Sequence, residues 1–352
     1  MTMETAVSPS DLLARWEKLR QENPRLRQRN AAKELGVSEA ELVATLVGKS
    51  ATRLTPDFPA LLGACETLGP VMALTRNENC VIENVGLYKN LSFTGMVGLV
   101  HGDTPDILDL RIFLHGWSSA FALVEVSPRG TRRSLQFFNR NGEAVHKVYL
   151  EEDAYIGAFD ALVEAHKAED QSPMQTVEPV KPAKAEKSDD EVDLVAFRSE
   201  WANLKDTHDF HAMVRKHGLT RTQALRLAGE EFATPVALDA HRTILKTASE
   251  TQLPIMIFVG STGVIGIYTG TITRVVDHDG WSNILDPEIN LHLLDAGVAS
   301  AWVVRKPTTE GIVTSLELFA KDGEIIAQFF GKRKPGIPED ATWRALAESL
   351  VG

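Results

Sequence analysis

Cysteine is almost missing from these 352 residues: Cys65 and Cys80 are the two. They form no CxxC pair, so zinc ribbons, iron–sulfur clusters and dithiol redox chemistry lack ligands. Long apolar runs are missing as well. None approaches the ~20 residues that span a bilayer, so membrane insertion is not expected. The opening MTMETAVSPSDLL has neither the basic region nor the apolar stretch of a signal peptide, which makes the cytoplasm the expected compartment. Positive charge is in deficit, with 37 Lys and Arg against 48 Asp and Glu and a formal net charge of −11. That balance repels nucleic acid globally, although Arg25–Arg29 and Lys332–Lys334 are local basic clusters. No GxGxxG occurs, so a nicotinamide or flavin fingerprint is absent too.

What is present is an ordinary globular balance, 43% hydrophobic and 24% charged, in a chain long enough for two domains. Ser10-Asp11 opens an amphipathic helix, LLARWEKLRQ, that should stop near Pro24. Residues 30–48 have the shape of a helix-turn-helix, with Gly36 at the turn and Ser38 as the next N-cap. Its second helix, SEAELVATLVG, offers two glutamates and no Arg or Asn to read bases, so DNA binding is not expected. From Leu74 the period turns to alternation, with strands expected at CVIENV, DLRIFL, AFALVEV, RSLQFF and AVHKVYL. Arg140-Asn141-Gly142 supplies a tight turn, and 154–167 reverts to helix.

The stretch 168–193 is rich in proline and charge, with few bulky apolar side chains to offset its ordering entropy. It reads as a flexible linker between an N-terminal repeat, 1–167, and a C-terminal repeat, 194–352. The repeat is visible directly. RSLQFFNRNGEAVHKVYL from Arg133 matches TSLELFAKDGEIIAQFFG from Thr314, a shift of 314 − 133 = 181. The same shift carries DLRIF to NLHLL and Phe121 to Trp302. The expected fold is α+β, a tandem duplication of a domain with a large antiparallel sheet and a small helical unit. The copies diverge where Arg111 meets His292, Glu125 meets Lys306 and Lys147 meets Gln328.

In the second copy, DTHDFHAMVRKHGLTRTQALRLAG runs from Asp206 to Gly229. Asp206 and Asp209 read as a helix start, which puts His208 in the first turn, where its side chain projects past the helix end. His211 follows at i+3 and stays open as a substitute ligand. A zinc site from HxxH lacks an obvious third ligand. His292, on an alternating strand, reads better as a sheet-face histidine.

DTHDF, TRTQALRLAG, NLHL, RKPTTEGIVTSLE and QFFGKR, with LTRNE and DLRIFL in the first half, resemble the bacterial cytoplasmic haem-utilisation family of haemin-degrading factors and haem-trafficking proteins. The resemblance implies one non-covalent haem b in a cleft between the halves, with His208 of the DxH motif as proximal iron ligand. Arg111 of the DLR motif would approach the opposite haem face as a cofactor contact and as the catalytic residue of any haem degradation. Arg221, Lys306, Gln328, Phe330 and Arg333 fall on pocket and propionate positions. Some members carry tyrosine where this chain has Phe330, so a packing wall is expected there. Without CxxCH, haem could not be attached in the c-type way. Two functions follow: sequestering haem from an importer and passing it on, or opening the porphyrin with O2 and an external reductant. The expected partners are accordingly haem itself, a haem importer, and a downstream haem oxygenase with its reductase.

Overall fold

The computed structural model describes residues 8–102, 104–128, 130–180, 186–333 and 336–352. The chain falls into two compact units. Unit 1 takes Met1–Thr75, Val85–Lys181 and Ser261–Val264; unit 2 takes Arg76–Asn84, Pro182–Gly260 and Ile265–Gly352. Two short segments are thus exchanged relative to the sequence repeats: 76–84 belongs to unit 2 and 261–264 to unit 1.

Unit 1 opens with helices α1 (Pro9–Glu22), α2 (Gln28–Leu35) and α3 (Glu39–Ala44). Ser8 caps α1, and Pro9 occupies its first turn, where a missing amide hydrogen is harmless. Gly36 closes α2 at φ 71°, a left-handed position that suits glycine, and Ser38 and Glu41 form a reciprocal capping box on α3. The strands follow as β1 (Ala51–Leu54), β2 (Pro70–Arg76), β3 (Cys80–Leu87), β4 (Ser92–Thr94), β5 (Val97–Val100), β6 (Asp109–Phe113), β7 (Trp117–Ser127), β8 (Gly130–Asn139) and β9 (Ala144–Leu150). Helix α4 (Phe58–Ala64) lies between β1 and β2 in the chain, and α5 (Ile156–Ala165) follows β9. The main sheet is antiparallel in the order β1-β7-β8-β9-β2, with β4-β5-β6 as a separate meander. Side chains alternate across a strand. Phe138 therefore packs with Leu12, Trp16 and Leu42 of the first helices, while its neighbour Phe137 packs with Phe58, Leu61 and Phe159 of α4 and α5. Both faces of this sheet are covered.

Unit 2 repeats the plan with α6 (Leu194–Ala202), α7 (Asp209–Lys216), α8 (Arg221–Ala228), β10 (Ala233–Val236), α9 (Ala240–Thr251), β11 (Ile255–Gly260), β12 (Val264–Gly270), β13 (Val275–His278), β14 (Trp281–Leu285), β15 (Ile289–Leu294), β16 (Ser300–Thr308), β17 (Gly311–Phe319), β18 (Ile325–Gly331) and α10 (Ala341–Glu348). Its sheet runs β10-β16-β17-β18-β11-β12. The meander β13-β14-β15 is extended by Cys80–Asn84 of β3. The order β10, β16, β17, β18, β11 matches β1, β7, β8, β9, β2 position by position, as a duplication requires. One sheet face packs on α9 and α10 through Ile257, Leu318, Phe329 and Trp343. The other meets α6 to α8 through Trp201, Phe210, Val304 and Phe319.

The segment expected to be a flexible linker is held at both ends. Gln171 Nε2 donates to the Arg53 carbonyl at 2.9 Å, Arg53 donates to Gln175 Oε1 at 2.6 Å, and the Glu178 amide donates to the Arg140 carbonyl at 2.7 Å. Further on, Asp189 accepts from Gln223 Nε2 at 2.9 Å and from Arg226. Residues 181–185, the N-terminal 1–7 and Lys334 of the basic cluster lie outside the described residues.

Candidate functional site

Helix α7 begins at Asp209, two residues later than a cap at Asp206 would set it, so His208 is its N-cap and not a first-turn residue. The correction has a simple cause. Asp206 does not cap the helix; its Oδ1 accepts from the His208 backbone amide at 2.8 Å and lies 2.6 Å from His208 Nδ1. The ring is thereby oriented. A proton held on Nδ1 by a carboxylate leaves the lone pair on Nε2, the arrangement that metal-ligating histidines use. The His208 side chain is 90% exposed. The amide and imidazole hydrogen bonds, with the nearby Arg333 charge adding to them, hold the Asp206 carboxyl below its ordinary range. Arg333 therefore belongs electrostatically to the same corner.

Below this corner lies a charged layer on the sheet. Cross-strand register puts Glu317 opposite Gln328 and Ser315 opposite Phe330, with Phe258 and Met256 beyond them on β11. All six side chains share one sheet face. Glu317 is fully buried, and it accepts from Arg221 Nε at 2.9 Å, from Arg221 through its second nitrogen at 2.8 Å, from Lys306 Nζ at 2.7 Å and from Ser315 Oγ at 3.1 Å. Burial opposes its charge, yet the two cations prevail and hold the carboxyl far below the usual carboxylate range. Burial pushes the Lys306 ammonium down to about 8, against the pull of Glu317 and with Arg221 adding to the fall. Farther along, Phe330 and Phe258 meet edge to face, ring centroids 5.0 Å apart. With Gln328 they leave a half-buried apolar and amide surface. An oriented imidazole, aromatic walls and surplus cationic charge suit a flat apolar ligand that carries a metal and carboxylates.

The family model for the haemin-degrading HemS.ChuX domain matches twice, over residues 36–166 and 218–350. The chain belongs to this family. It is 39% identical to the hemin transport protein HmuS of Yersinia pestis, over 97% of this chain and 98% of that protein. Among solved structures it is similar to holo-PhuS, a heme-binding protein from Pseudomonas aeruginosa, at a TM-score of 0.95 and 49% identity, covering 98% of this chain and 99% of that one. It is similar also to the heme degrading enzyme ChuS of Escherichia coli O157:H7, at a TM-score of 0.91 and 37% identity, covering 98% and 100%.

Of the seven residues that the haem-utilisation resemblance singles out, six lie in unit 2 around α7 and one face of its sheet. Arg111 lies in unit 1, on β6, where its guanidinium donates to Asp109 and to the Leu110 carbonyl. Cross-strand pairing sets Leu99 beside Arg111 and Val97 beside Phe113, three exposed apolar side chains flanking a cation. His292 pairs with Asn283, its Nδ1 2.7 Å from Asn283 Oδ1, as a sheet-face histidine does. His211 is exposed on α7; partial desolvation, Arg215 and Arg221 lower its pKa and so favour the neutral, ligating form. The cations read as propionate contacts are not equally available. Lys306 is 3% exposed and engaged by Glu317, whereas Arg221 uses two of its three nitrogens and Arg333 is half-buried. Sequence reasoning missed Glu317, Phe258 and the apolar strip on β5. The carboxylate in TSLELF is the one signal that could have found the first, a charge on the inward phase of a buried strand.

Proposed function

We propose that this chain binds non-covalent haem b through His208 and passes it to another protein in the cytoplasm. The observation that carries the reading is the Asp206–His208 pair, which fixes an imidazole tautomer and presents Nε2 to solvent. Bound haem would supply the iron, and the chain's own residues would hold the macrocycle: Phe330 as an apolar wall, Gln328 beside it, Arg333 and the open nitrogen of Arg221 toward the propionates, with Lys306 lending charge from beneath. Arg111 is a further proposed haem contact. Cys65 and Cys80 are both buried and free, and burial pushes the Cys65 thiol up to about 12, so neither is poised for thioether attachment. An importer on one side and a haem oxygenase with its reductase on the other are the partner classes such a carrier serves.

The test is haem titration of the parent and of His208→Ala, followed by transfer to an acceptor in excess. The expected result is a histidine-ligated spectrum that His208→Ala abolishes or shifts, and complete transfer of intact haem. A His208→Ala spectrum identical to the parent's would overturn the ligand assignment. Sustained turnover to one tetrapyrrole isomer with a reductase and catalase present, lost in Arg111→Ala, would replace the carrier with a haem-degrading enzyme.

A further inference from the structure

Phe210, two residues past His208, ties α7 to the charged layer of the sheet. Its ring is 2% exposed; the Arg221 guanidinium carbon lies over it at 4.9 Å from the centroid and Lys306 Nζ at 4.7 Å. Both cations are in turn bound by Glu317. A carboxylate buried with two cations is expensive to desolvate and is weak evidence for stability alone. Unit 1 shows that the fold does not demand it. With a shift of 218 − 36 = 182 between the helix-ending glycines, Gln28 stands where unit 2 has Phe210, and Glu39 where it has Arg221. With the strand shift of 181, Gln136 stands for Glu317 and Lys147 for Gln328.

In unit 1, Gln28 Nε2 reaches Gln136 Oε1 at 3.5 Å, and the ion pair is reversed, with Glu39 on the helix 3.6 Å from Lys147 on the strand. A ring under two cations occupies this place in the unit that carries His208, not in its duplicate. We infer that Glu317, acting through Arg221 and Lys306 on Phe210, is a positioning residue that holds the start of α7, and with it His208, in ligating geometry. This rests on the haem reading given above. Glu317 fixes the two cations, the cations fix the aromatic ring by attraction to its π face, and the ring fixes a helix of eight residues whose N-cap His208 makes no side-chain capping bond.

The experiment uses the full chain loaded with haem and compares the parent with Glu317→Gln. Expected are haem dissociation to excess apomyoglobin faster by about tenfold, the usual scale for loss of an outer-layer support, and a shifted iron–histidine stretching band in the ferrous resonance Raman spectrum. Phe210→Leu should give the same two changes, and the double variant no more than either. Glu348→Gln breaks the Arg305–Glu348 pair elsewhere in unit 2; it should lower stability and leave rate and band unchanged. If Glu317→Gln does not fold, Phe210→Leu alone carries the test, because it breaks the same chain of contacts and keeps every charge. A parent-like rate and band in whichever variant folds would overturn the inference. A parent whose band survives in His208→Ala would instead overturn the haem-ligand reading, whatever Glu317 does.

Discussion

The chemistry proposed for this chain depends on how one oxygen atom is spent. Asp206 Oδ1 receives both the backbone amide and the ring nitrogen of His208, so the carboxylate sets where the loop turns and which imidazole nitrogen is free. Asp206→Asn keeps the shape and weakens the acceptor, and the expected outcome is about tenfold weaker haem binding with histidine ligation retained. A competition titration against an acceptor of known affinity measures it. His146 is the second residue whose surroundings dictate a measurable property. It is buried in the core of unit 1 beside Phe137 and Tyr88, and burial drives its pKa from the usual 6.5 down to about 4. Between those values the unfolded chain holds a proton on His146 that the folded chain does not, so stability falls as pH drops through the window. His146→Leu should remove about 1.4 kcal/mol per pH unit from the acid slope, one proton's worth. Urea unfolding midpoints at pH 5 and pH 7 test this; an unchanged slope would mean that His146 titrates normally.

At the scale of elements, the helical units of the two copies show how one backbone plan serves two tasks. Helix α3 is closed by a full capping box, Ser38 Oγ accepting from the Glu41 amide at 3.2 Å and Glu41 Oε2 accepting from the Ser38 amide at 2.8 Å. Helix α7, which carries the candidate ligand, has no such cap. Ser38→Ala should therefore cost about 1 kcal/mol and lower the melting temperature by a few degrees, as seen by circular dichroism, while the haem spectrum stays that of the parent. The helix-turn-helix appearance of 30–48 is explained by the same comparison. Leu42 and Val43 are buried with Phe121, Leu123 and Phe138 of the sheet, so these helices roof a core.

For the whole molecule, duplication provides two similar units, and the proposed iron ligand stands in one of them. Unit 1 has Leu26 where unit 2 has His208, Gln28 for Phe210 and a reversed ion pair beneath. The expected stoichiometry is one haem per chain, with a sharp titration break near one equivalent. A second equivalent of equal affinity and a histidine-like spectrum that persists in His208→Ala would show that unit 1 has kept a site of its own.

Much of this is legible in the sequence. The strand pattern located β3, β6, β7, β8 and β9; β3 and β6 keep a two-residue period in their burial, whereas β7, β8 and β9 are buried in continuous runs because both faces of their sheet are covered. Gly36 and Ser38 marked a helix end and a helix start, because left-handed φ and an N-cap are local demands. The shift of 181 announced a duplication, and strand orders that agree position by position bear it out. Asp206 and His208 could be singled out, although their hydrogen bonds could not. What tertiary structure alone decided is non-local. Which strand edges meet determined that 76–84 joins unit 2 and 261–264 joins unit 1. Register across β16, β17 and β18, with Arg221 at the start of α8 above them, made Glu317 the carboxylate that both cations share. Periodicity and capping are fixed by neighbours within about one helical turn, so the chain states them residue by residue. The meeting of Arg221, Lys306 and Glu317 joins positions 96 and 11 residues apart in the chain, and only packing can choose among the pairings such separations allow.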